Sequence, residues 1–136
     1  MSTQKKLFAV IILGSIMLMF SIGEALAHGS WSPKKTPELL SQGKKLYEQN
    51  CSSCHGAKGD GKGPASATLK PAPSDFGEPL NKSPNTKGKS EKIFEVISKG
   101  IPNSAMMKWD QFPERDRWGL VYFVMEFATK SSGSKK

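Results

Sequence analysis

Apolar positions along this chain fall into blocks of two kinds. The first block, Leu7 to Ile22, is nearly continuous, broken only by Gly14, Ser15 and Ser21. Lys5 and Lys6 precede it, and Ala25-Leu26-Ala27 follows it. A positive start, an apolar run and a small-residue A-x-A site, in that order, predict a secretory signal peptide at 1–27, cut between Ala27 and His28. The alternative is an uncut membrane anchor. The run is shorter than the ~20 residues that cross a bilayer, and Glu24 closes it, so cleavage is favoured.

The later blocks are periodic. In "TPELLSQGKKLYEQN", Leu39, Leu40, Gly43, Leu46 and Tyr47 fall on one helical stripe. Thr36 suits the N-cap, Pro37 the first helical position and Glu38 the first turn. "SEKIFEVISKG" predicts a second helix with Ser90 as its cap, Ile93, Phe94, Val96 and Ile97 on its apolar side and Gly100 as its stop. "ERDRWGLVYFVMEFATK" predicts a third, preceded by Pro113. Between the first two lies Gly56–Lys89, whose 34 residues include six glycines and five prolines. A short helix near Ala65–Leu69 is expected there, but a loop this long needs something besides its own side chains to hold it. No run alternates as a half-buried strand does. The expected organisation is a signal peptide at 1–27, an N-terminal extension at 28–35, one all-α domain at 36–129 and a flexible tail at 130–136.

Charge narrows the class of partner. Twenty Lys and Arg stand against 12 Asp and Glu, a formal net charge of +8 spread along the chain. An exported chain with no nucleic-acid motif has no evident use for nucleic acid. Its basic excess suits solubility and steering toward an acidic protein surface.

The chemistry concentrates in "CSSCHGAKGD", which holds Cys51 and Cys54, the only two cysteines. Three readings compete. A redox C-x-x-C pair belongs in a βαβ context, and here the flanks are a helix and a Gly-rich loop. A structural zinc site needs four ligands, and the chain offers two cysteines and two histidines, one of them His28. The favoured reading is covalent haem attachment, whose signature is C-x-x-C-H. Residues three apart share a helix face, so both thiols can meet the two vinyl groups along one haem edge, with His55 placed under the iron. The partner ligand on the other face comes from a methionine. Met125 lies within the last predicted helix as core, whereas Met106 and Met107 lie in a loop from which a thioether can reach inward. A His/Met pair is the arrangement of an electron carrier.

These residues resemble the class I c-type cytochromes. The matching stretches are "GKKLYEQNCSSCHGAKGDGKGPA", "LKPAPSDF", "SKGIPNSAMMKW" and "RWGLVYFVMEF". The resemblance implies an all-α fold, a small helical globule around a covalently attached haem, with the first and last helices crossing. It implies one haem c, thioethers from Cys51 and Cys54, His55 as proximal and Met106 as distal iron ligand, and Met107 where the family usually has proline. It also implies that the carbonyl of Pro64 accepts the Nδ1–H bond of the ligand histidine. Gly43 and Tyr47 match first-helix positions that meet the last helix, and Phe123 stands there for a common tyrosine.

The expected function is that of a periplasmic monohaem cytochrome c, a monomer shuttling single electrons between redox proteins of a respiratory chain and catalysing no reaction of its own. Lys58, Lys62 and Lys108 are expected near the haem crevice, facing acidic partners. The rivals are a haem c subunit docked or membrane-anchored in a dehydrogenase or oxidase complex, and an open-site haem peroxidase or gas sensor. Two adjacent methionines argue against the last.

Overall fold

Two glycines on different helices decide how this molecule is put together. The computed structural model describes residues 31–78, 86 and 89–133. Its helices are α1 (Pro37–Asn50), α2 (Ser52–His55), α3 (Ser90–Lys99) and α4 (Glu114–Gly133), with a 3₁₀ turn at Ser66–Thr68. Among the described residues every element is helical. The expected signal segment, its A-x-A site and His28 lie outside them. Among the described residues, no helix is long and apolar enough to cross a membrane.

The first helix starts as its sequence predicts. The Thr36 hydroxyl accepts from the Leu39 amide at 3.2 Å, and Pro37 opens the first turn. α1 then packs on α4. At the crossing, a Cβ on Gly43 would lie 2.0 Å from the Gly119 carbonyl oxygen, and a Cβ on Gly119 would lie 2.8 Å from that of Leu39. Backbone therefore meets backbone, which ridges of larger side chains would prevent. Leu39, Leu46 and Tyr47 of α1 and Leu120, Val121 and Val124 of α4 are buried around this contact. Each such aliphatic side chain contributes ~1.5–3 kcal/mol by leaving water.

The third helix docks on α4 through rings. Phe94 stacks on Trp118 with centroids 4.6 Å apart, and the Arg117 guanidinium lies 4.9 Å from the Phe94 centroid. Arg117 also donates from Nη1 to the Ser98 hydroxyl at 2.5 Å. Ile93 and Ile97 complete this side of the core. Between α1 and α3, α4 is enclosed on two sides, which accounts for its apolar middle.

Two boundaries differ from expectation. The N-cap of α3 is Lys89, not Ser90: Lys89 is extended (φ −89°, ψ 126°), and its carbonyl accepts from the amides of Lys92 and Ile93. Ser90 is already helical. The last helix runs to Gly133, into the stretch expected to be a tail. Upstream, the extension is fastened to α4. The Tyr122 hydroxyl donates to the Pro33 carbonyl at 2.5 Å, and Lys35 pairs with Glu126.

Candidate functional site

The Cys-x-x-Cys-His run occupies the sharp exit from α1. Cys51 caps that helix, its amide bonded to the Tyr47 carbonyl at 2.9 Å. The chain then turns into the single-turn α2, where the Cys54 and His55 amides both donate to the Cys51 carbonyl, at 3.2 and 2.9 Å. Both cysteines are free thiols and half-buried. Burial, and secondarily the neighbouring Cys54, push the Cys51 thiol up to about 11. A thiol held protonated is not the activated nucleophile of a redox pair. The redox reading therefore finds no support at Cys51. Among the described residues, no three of His, Cys, Asp and Glu converge on a metal-sized site.

A glycine-rich loop wraps the attachment turn. Gly56, Gly59 and Gly61 all take positive φ (80°, 69° and 70°), a region glycine enters without strain. Amides of the loop satisfy carbonyls of the turn: Gly61 donates to His55 at 2.9 Å, Gly63 to Cys54 at 3.1 Å and Ala65 to Ser53 at 2.9 Å. From above, the buried Tyr47 hydroxyl donates to the Gly56 carbonyl at 2.7 Å. Burial holds that phenol well above its ordinary pKa, so the donor proton is retained.

The chain then returns beneath the histidine. Gly61 lets it approach closely, since a Cβ there would lie 2.6 Å from the Pro73 carbonyl oxygen. His55 Nδ1 lies 3.2 Å from the Ser74 carbonyl oxygen. A carbonyl can only accept, so Nδ1 carries the proton and Nε2 keeps its lone pair. Burial lowers the His55 pKa and so favours a neutral imidazole, opposed in part by the bond to Ser74. A neutral ring with a free Nε2, one residue past two free thiols, is the donor set that haem c requires.

The acceptor is a correction to the sequence expectation: Ser74, not Pro64, takes the Nδ1 bond. Gly63 and Ala65 are tied to the backbone of Cys54 and Ser53, and Gly63 is pressed against Ser53, so a Cβ on it would fall 2.3 Å from the Ser53 carbonyl. Pro64, between them, is left exposed.

The methionines lie on the loop joining α3 to α4. Gly100 (φ 71°) starts the loop, and a Cβ there would lie 2.6 Å from the Met106 carbonyl oxygen. The Ile101 amide donates to that carbonyl at 3.0 Å, and Ser104 Oγ accepts from the Met106 amide at 3.1 Å while donating to the Ile101 carbonyl at 2.8 Å. Met106 is half-buried, whereas Met107 is 61% exposed. Of the lysines expected at the crevice, Lys58 and Lys62 are exposed, and Lys108 is paired with Asp110 at 2.9 Å. Sequence reasoning gave no role to Ser74, Phe76 or Gly119. The first two lie in "LKPAPSDF", a stretch whose match was evident but whose task was not.

The fold and the donor set are those of a class I c-type cytochrome. A family model described as cytochrome c oxidase, cbb3-type, subunit III matches residues 38–124, and the chain belongs to this family. No curated protein matches the sequence. A chain in the solved Kuenenia stuttgartiensis reducing HAO-like protein complex Kustc0457/Kustc0458 is similar, with 31% identity and a TM-score of 0.62. The similarity covers 78% of this chain and 48% of that one, so this protein spans about half the length of that relative.

Proposed function

We propose that this protein is a periplasmic monohaem cytochrome c that carries single electrons between larger redox proteins. The observation that carries the reading is His55: its Nδ1 is engaged by a backbone carbonyl and its Nε2 is free, beside two unpaired thiols spaced by one helical turn. Haem c, when bound, supplies a reversible one-electron iron couple. The chain would hold it through Cys51 and Cys54 and ligate its iron through His55 and Met106. Met106 is preferred to Met107 because its backbone is locked inside the loop and its side chain is half-buried.

The remaining residues do the protein's share of electron transfer. The Ser74 carbonyl keeps the imidazole in one tautomer and makes it a stronger donor. The buried side chains of α1, α3 and α4 keep water from the core. Lys58 and Lys62, exposed just past the attachment turn, would steer the monomer toward acidic partners, with Lys108 contributing less because Asp110 neutralises it. A signal peptide at 1–27 would deliver the chain to the periplasm.

A second reading has its own support. The similar chain belongs to a protein complex, and the family is described as an oxidase subunit. This cytochrome would then stay docked in an oxidoreductase assembly or anchored beside it. The intact mass of the purified protein separates the two, since an uncut 1–27 segment favours the anchored form. The site itself is tested by absorption spectra of the oxidised and reduced protein. A low-spin, six-coordinate spectrum with a sulfur-to-iron charge-transfer band is expected. A five-coordinate spectrum would replace the carrier by an open-site peroxidase or sensor.

A further inference from the structure

His55 has a second neighbour that its bond to Ser74 does not explain. Its ring lies over that of Phe76, with centroids 4.6 Å apart and planes 20° from parallel. Phe76 is itself held on several sides. Its amide donates to the Gly59 carbonyl at 2.6 Å, and its ring lies 21° from parallel with that of Phe127, with centroids 6.3 Å apart. Tyr47 meets it edge-on at 6.5 Å. Phe127 is backed by Gly59, where any Cβ would fall 2.8 Å from the Phe127 ring. Phe76 thus lies near parallel to both His55 and Phe127, and Phe127 belongs to α4.

A hydrogen bond and a stacked ring constrain an imidazole differently. The bond to Ser74 directs Nδ1, yet it tolerates rocking of the ring about the line that joins them. A parallel ring against the face opposes that rocking, because tilting the imidazole would drive its edge into Phe76.

We infer that Phe76 is a positioning residue for His55, fixing the plane of the imidazole about the bond its Nε2 offers to iron. The inference rests on His55 being the proximal ligand, as proposed above. An axial imidazole donates π-density in one direction only, so the angle of its plane decides how unpaired spin spreads over a ferric haem. Phe76 thereby governs that spread without touching the iron.

The test compares proton NMR spectra of the ferric, haem-loaded protein, in which the four haem-methyl resonances report the ligand plane. Phe76→Leu should change the spread among the four methyl shifts, and Phe76→Tyr, which keeps the ring, should retain the wild-type pattern. Phe127→Leu removes packing but leaves the His55 contact, and should alter the pattern less than Phe76→Leu. Should Phe76→Leu not accumulate with haem, Phe76→Met provides a second ringless side chain of similar bulk. A ringless variant with the wild-type methyl pattern would overturn the inference. So would a Phe127→Leu pattern as disturbed as that of Phe76→Leu, since generic loosening would then explain both. A protein whose mass shows no attached haem would instead overturn the proposed function, and this inference with it.

Discussion

The two sides of the expected iron site are built by different means. On the histidine side, α2 is bound into a cage of backbone. Gly61, Gly63 and Ala65 bond the turn from one direction, Tyr47 reaches in from another, and Ser74 and Phe76 close on the ring. On the methionine side, one short loop folds on itself through Ile101, Ser104 and Met106, and the Trp109 amide joins it to the Ile97 carbonyl at 2.9 Å. The histidine is thus over-determined, while the methionine depends on a few bonds within its own loop. Removal of the Met106 thioether should therefore leave the fold standing, whereas changes on the histidine side should be felt in the fold.

The largest effect should come from the frame that carries both sides. Gly43→Val places a side chain where a bare Cβ already lies 2.0 Å from the Gly119 carbonyl. The helices cannot separate without opening the core, so a loss of ~3 kcal/mol or more is expected, at or beyond the upper end of overpacking costs. Little folded, haem-loaded protein should accumulate, as judged by absorbance of the purified fraction. A stable Gly43→Val protein would mean that the crossing does not hold the two sides together.

Breaking one side alone should be milder. Met106→Ala should leave haem attached but remove the charge-transfer band and lower the reduction potential, whereas Met107→Ala should leave both nearly unchanged. Reversal of that pair would move the ligand by one residue. Loss of the band in neither would point to His28 or an open position.

The histidine side can be weakened without touching a ligand. Tyr47→Phe deletes the donor to the buried Gly56 carbonyl, which should cost ~1–3 kcal/mol. Thermal melts should register it, while the charge-transfer band stays intact. A melt like that of the wild type would show that the cage does not need this bond.

The smallest effect belongs to α3's exposed face. Lys92 and Lys99 both pair with Glu95, at 2.7 and 3.0 Å, and hold its carboxyl down to about 2. Because the folded pKa lies below the ordinary 4.5, the contribution is present above pH 4.5 and is lost as pH falls through about 2. Exposed pairs are screened, so Glu95→Gln should flatten the acid limb of the stability–pH curve only slightly, and less so in high salt.

Much of this architecture is legible in the sequence, for reasons specific to certain residues. Thr36-Pro37-Glu38 announces a helix start because each position asks for a different chemistry. Gly100 announces an end because only glycine takes its φ cheaply. Cys51, Cys54 and His55 carry their chemistry in their side chains, so spacing alone exposes them. The Nδ1 acceptor carries none: every residue has a carbonyl, and whether Pro64 or Ser74 presents its own depends on how the loop folds back across Gly61. The same holds for Ser90, displaced as cap by the backbone angles of Lys89. Gly119 was hidden for another reason, since one glycine in a helix gains meaning only beside the glycine it meets.

The central claim is that Cys51 and Cys54 hold a haem covalently. Its most direct test is the intact mass and visible absorbance of the purified protein after acid–acetone extraction and denaturation. One haem retained per chain is predicted, with retention lost in a Cys51→Ala, Cys54→Ala double variant. A wild-type chain that releases its haem to the solvent phase, or has the mass of the bare polypeptide, would contradict the account.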